Sequence, residues 1–148
     1  MTYNPNFAGA TSDATSTTVG DTLENQSGAT INRVTPVRVD NNGEIKTIDV
    51  SVESEATAIV GVAKENIAPG SKGTIISSGR VTNIITTANF GDILFVSKIG
   101  GLTNSKPEVG VGGFVSGDWV IRVGVIFKSD TNPSQQDLML NIGIIGQL

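Results

Sequence analysis

The chain has 148 residues, no Cys and no His, which excludes disulfides, a thiolate nucleophile, a Cys/His zinc site and a Ser–His–Asp triad. Charged residues make up only 16%, Gly numbers 18 and Thr 16, a composition poor in helix formers that predicts an all-β chain. The net charge of −4 argues against a phosphate-backbone partner, which requires a dense Lys/Arg surface.

Residues 1–28 differ from everything after them. They are rich in Ser, Thr, Gly and Asn, hold no Lys or Arg, and carry Asp13, Asp21 and Glu24. Sparse apolar side chains cannot offset the entropy of ordering such a segment, so 1–28 is expected to be an extended, flexible N-terminal arm. Tyr3 and Phe7 are its candidate anchors on a neighbouring subunit, and deleting 1–28 is expected to leave the body, 29–148, folded. The first residues show no basic n-region followed by an apolar core, and no stretch reaches the ~20 apolar residues of a membrane span. The expectation is a protein made in the cytoplasm, with no membrane and no nucleic acid among its partners.

From Ala29 onward the apolar period is two. Thr30–Val39 predicts a strand interrupted at Pro36, and Asp40-Asn41-Asn42-Gly43 a hairpin turn with positive φ at its end. Glu44–Val52 alternates cleanly, placing Ile48, Val50 and Val52 in the core. Thr57–Ala63 has no alternation and is expected to be buried on both faces. Two strands, Gly73–Ser77 and Arg80–Thr86, are expected to meet at a Ser78-Gly79 turn. Ile93–Val96, Asp118–Phe127 and Leu138–Ile145 complete nine or ten short strands, the pattern of a small antiparallel barrel or sandwich. Val60-Gly61-Val62 and Val123-Gly124-Val125 echo each other, a match too short to establish a repeat. The apolar ending, Ile142 to Ile145, requires a pairing partner, and Leu148 is a further candidate contact residue.

No residue pattern carries catalytic chemistry or a cofactor. Asp92 and Asp118 each follow Gly at a strand start, which is turn chemistry before it is a glycosidase carboxylate pair. Glu53 and Glu55 read as a solvated edge. Asp40 to Glu44 lacks the spacing of a calcium loop, and Gly110–Phe114 the Lys-Ser/Thr of a phosphate loop. Trp119, inside a β-branched strand, is expected in the core. Arg33, Arg38, Arg80 and Arg122 are dispersed and suit ion pairs on sheet faces or between subunits.

The order Ala58-Ile59-Val60-Gly61-Val62-Ala63, a loop with Ile67-Ala68-Pro69-Gly70, Gly73-Thr74-Ile75-Ile76 and Ser78-Gly79-Arg80-Val81 resembles small β proteins of bacteriophage virions. So do Gly91-Asp92-Ile93-Leu94-Phe95-Val96-Ser97, Gly100-Gly101-Leu102-Thr103 and the closing Val123-Gly124-Val125-Ile126. The family comprises head-decoration (cement) proteins and related head-fibre or tail modules, and the resemblance spans roughly residues 30–127. It implies a non-enzymatic β body, often trimeric, located on the capsid surface, where it binds the major capsid protein between capsomers and stabilises the head. Its second form is a tail- or fibre-associated virion protein that adheres to host glycan.

Overall fold

The computed structural model describes residues 19–148, and these are nearly all β. In chain order the strands are β1 Val19–Glu24, β2 Pro36–Val39, β3 Ile45–Lys46, β4 Ile59–Ala63 and β5 Lys72–Ile84. They continue as β6 Ile93–Val96, β7 Leu102–Thr103, β8 Trp119–Lys128 and β9 Gln136–Gln147, with one helical turn, α1 Glu53–Ala56, between β3 and β4. The pairing is antiparallel in the order β3-β2-β4-β5-β9-β8-β6-β7, with β1 added on β5, and the sheet curls into a half-barrel. Among the described residues no helix is long and apolar enough to cross a membrane.

The expected arm extends through residue 28, whereas Val19–Glu24 is a sheet strand, paired from Val19–Ser78 to Glu24–Lys72. The rest of that expectation, residues 1–18 with Tyr3 and Phe7, lies outside the described residues. Composition misplaces β1 because its stability comes from β5 rather than from its own apolar content. Leu23 and Asn25 are its inward-facing anchors. Asn25 is fully buried, its amide donating to the carbonyls of Ala29 (2.8 Å) and Ile67 (2.7 Å) and its oxygen accepting the Ser27 N–H (2.9 Å). A parallel bridge from Asn25 to Ile45 joins the end of β1 to β3.

Three further expectations change. The strand expected over Glu44–Val52 stops at Lys46, because the Asp49 carboxylate accepts the Ser51 N–H (2.9 Å) and hydroxyl (2.6 Å) and bends the chain. Ile48 and Val50 are buried as expected, but so is Ile45, while Val52 is 39% exposed. Glu53 and Glu55 stand in the first turn of α1, where carboxylates oppose the partial positive charge of the helix start. Finally, Ser78-Gly79 is no turn. β5 runs straight through it, with Gly79 at φ +98°, so the two predicted strands are one of thirteen residues.

That long strand joins two equivalent halves. In the first, hairpin β2–β3 is followed by β4, which pairs back on β2, and by the start of β5; in the second, hairpin β6–β7 is followed by β8 and β9 in the same order. Registers match in detail. Val37 opposes Gly61 and Leu94 opposes Gly124, each followed by a one-residue irregularity. Val62 opposes Ile76 and Val125 opposes Met139. Ile76 in turn faces Gly20 of β1, while Met139 faces Arg80 in the second half of β5. So the start of β5 is the last strand of unit one, and its end is the first strand of unit two. Gly61 and Gly124 are demanded by this geometry: a Cβ would lie 2.2 Å from the Ile76 carbonyl oxygen at one and 2.1 Å from that of Met139 at the other. The short Val-Gly-Val echo marks a structural repeat.

Each unit has its own apolar interior. Ile31, Val37, Ile45, Ala63, Ile67 and Ile75 fill the first, with Leu23 against them. The larger cluster takes Val81, Leu94, Val96, Phe114, Ile121, Val123, Ile126 and Leu138 from the second unit, and Ile48, Val50, Ala56 and Val62 from the first. It therefore welds the two units into one body.

Candidate functional site

Leu148, expected to be a contact residue, is half-buried against the larger core. Its carbonyl accepts the Gly117 N–H (2.7 Å) and its N–H donates to the Asp118 carbonyl (2.9 Å), so its backbone latches onto the turn before β8.

The carboxylates are engaged locally. Asp92 accepts the Asn89 N–H (2.8 Å) in the turn before β6, as turn chemistry predicts. Asp118 is 1% exposed, and both its oxygens meet the Lys98 ammonium at 2.7 and 2.8 Å while one also accepts the Val115 N–H (2.9 Å). A carboxylate so held orients a loop. Glu55 pairs with Arg38 (3.0 Å) and accepts the Asp49 N–H (2.9 Å), which ties α1 to β2. Asp40 accepts the N–H groups of Asn42 and Glu44 and pairs with Lys46 at 3.0 Å. The Lys46 ammonium, then these amides, hold its carboxyl below the ordinary carboxylate range. The Ser51 hydroxyl does the same for Asp49. Among the described residues no group of three or more acidic side chains is placed to hold a metal ion.

The four dispersed arginines bind within the chain. Arg38 and Arg80 make ion pairs, to Glu55 and to Asp130 (2.6 Å), while Arg122 donates to the Asn141 carbonyl and Arg33 to those of Thr82 and Asn83. The Arg80 guanidinium also stacks 4.5 Å above the Phe127 ring. Trp119 packs on the larger core and Phe114 is buried, which makes the Gly-rich loop a cover for the interior.

What distinguishes the surface is apolar. Ile93, Val125, Met139 and Arg80 lie directly opposite one another across β6, β8, β9 and β5, so all four project from the same, outer face. Ile93 is 41% and Met139 44% exposed. Further along β9 stand Ile144 and Ile145, also exposed. Sequence reading flags Ile142 to Ile145 as an apolar ending but misses the row through Ile93 and Met139, because these sit in short apolar runs, Ile93–Val96 and Leu138–Leu140, in which no polar alternation marks the outward side chain. A second feature is a cavity of about 350 Å³ lined by Arg33, Val34, Asn83, Ile84, Leu94 and Leu102, among others. Among the described residues, Val34 and Asn83 are the non-glycine residues with positive φ, +68° and +53°, and both line it.

Compared with family models and with curated proteins, the chain matches none of them.

Proposed function

We propose that this chain is a bacteriophage capsid decoration protein: a homotrimer that binds the major capsid protein on the outer surface of the head, between capsomers, and stabilises the shell. The observation that carries the reading is the outward apolar row Ile93–Val125–Met139 on a rigid four-strand face. Exposed apolar residues in register form a surface suited to another protein, and they offer nothing to a small polar substrate. The resemblance of residues 30–127 to virion β proteins supplies the kind of partner. A stabilising role needs area, and an interface of about 1,600 Å² in total per copy is typical of stable specific complexes. Repetition over a lattice then adds avidity without added chemistry.

The test is binding to purified, undecorated shells. The variant Ile93→Lys/Met139→Lys is expected to fold normally, since both side chains already reach solvent, and to lose binding. If the double variant decorates shells as the parent does, or if the parent itself fails to bind, the proposal falls.

A further inference from the structure

The internal repeat leaves two strand edges unmatched. β5 runs on past Ile76, and its second half is covered by β9, so that Val81, five residues beyond Ile76, is only 2% exposed. β9 runs on past Met139, the counterpart of Ile76, but beyond Leu140 it pairs with β8 alone. Ile144, five residues beyond Met139, is therefore 42% exposed and Ile145 is 61% exposed. The edge of 141–147 turned away from β8 has no strand partner among the described residues. The second unmatched edge belongs to β1. One side of β1 pairs with β5, no described strand pairs with the other, and its residues from Val19 to Thr22 are exposed.

The two edges carry complementary charge. Residues 141–148 hold no ionisable side chain, and a bare apolar edge is adhesive unless something covers it. Arg122 of β8 reaches over this stretch. Its Nε donates to the Asn141 carbonyl (3.1 Å), and its guanidinium lies across Gly143, where a Cβ would come within 3.3 Å of it. Among the described residues Arg122 makes no ion pair. β1 supplies the opposite sign. Asp21 accepts only the N–H of its neighbour Thr22 (2.8 Å) and Glu24 the side-chain amide of Gln26 (2.8 Å), so both carboxylates lack a cation among the described residues. The lengths also agree, since β1 and the free stretch of β9 each extend about 20 Å at roughly 3.3 Å per residue.

We propose that β1 of one copy adds antiparallel to the second half of β9 of the next copy, head to tail, with Glu24 of one facing Arg122 of the other. Every strand pair named in this sheet is antiparallel, and that direction brings Glu24 toward Asn141–Gly143 beneath Arg122 and Val19 toward Ile145. The two patches differ, so the contact is heterologous: each copy offers both, and three copies close a ring when each is turned by a third of a circle. Addition at an edge extends the sheet and leaves the outer row through Ile93 and Met139 uncovered. The inference deepens the homotrimer of the proposed function and rests on it.

The test is a dilution series of the full chain, with mass read by light scattering. Glu24→Arg and Arg122→Glu are each expected to raise the concentration at which the trimer falls apart by at least about tenfold. The chain carrying both changes is expected to return to within about threefold of the parent, because the exchanged charges meet again across the contact. Ile145→Lys, at an exposed position, is expected to weaken assembly as the single changes do, and replaces Arg122→Glu should that variant not fold. A parent that stays monomeric or dimeric overturns the contact. So does a trimer indifferent to these variants, or a double variant no better than its singles. The variant Ile93→Lys/Met139→Lys is expected to remain trimeric, and its dissociation would move the contact to the outer face and overturn the proposal. A parent that assembles and responds to the charge exchange but does not decorate shells supports this contact and sinks only the shell reading.

Discussion

At the scale of single residues, stability concentrates in positions with no chemical role. Gly124 is the clearest. A methyl group there must displace the Met139 backbone and the Leu138 side chain, so Gly124→Ala is expected to cost about 2 kcal/mol or more, and Gly61→Ala a comparable amount. Chemical denaturation with an unchanged dependence on denaturant checks both. Asn25→Ala leaves the Ile67 and Ala29 carbonyls without their side-chain donor inside the first unit and should destabilise by about 2–3 kcal/mol. Asp40 gives the pH dependence. Its carboxyl is more acidic folded than unfolded, so its contribution to stability is complete above the ordinary carboxylate value of about 4 and disappears as pH falls through the lower folded value. Thermal unfolding from pH 6 to pH 2 should therefore show a smaller acid loss in Asp40→Asn than in the parent. An identical acid limb would contradict the assignment.

Elements show what can and cannot be read from a linear sequence. The hairpin at Asp40–Gly43 was legible from its Asn-Gly turn, and β6, β8 and β9 from apolar runs bounded by turn residues of definite chemistry. The short turn α1 was not, since it is held by the Asp49–Glu55 hydrogen bond and the Arg38–Glu55 pair, contacts made across six and seventeen residues. β1 was hidden for a similar reason: Gly20 and Asp21 form a strand only because β5 offers an edge. β1 also changes what truncation should do. Deleting residues 1–28 removes β1 and Asn25 and is expected to destabilise the body, whereas deletion ending at Thr18 should leave its thermal midpoint close to the parent's. Equal midpoints for the two truncations would show that β1 contributes nothing. Of the candidate contact residues, Leu148 fastens its backbone to the turn before β8, and the exposed row through Met139 was invisible because an outward apolar residue within a short apolar run carries no signature of its own.

For the whole molecule, the proposed role depends on assembly. Static light scattering of the isolated chain should give three times 15.3 kDa, and a monomer at micromolar concentration would count against the trimer. The arrangement of the two units bears on this directly, because a core that draws Ile48, Val50 and Val62 from one and Leu94, Val96 and Ile121 from the other fixes their outer faces at a constant angle. A surface built from both then behaves as a single rigid template.

One strand, β5, closes the first half and opens the second, so neither half possesses a complete set of strands without it. Pulling the chain from its two ends should therefore not yield two successive ruptures, as beads on a string would. The molecule should hold and then give way once, with a lengthening that accounts for both halves together. A protein wedged between moving neighbours would gain from that behaviour, since partial failure under load is not among its accessible states.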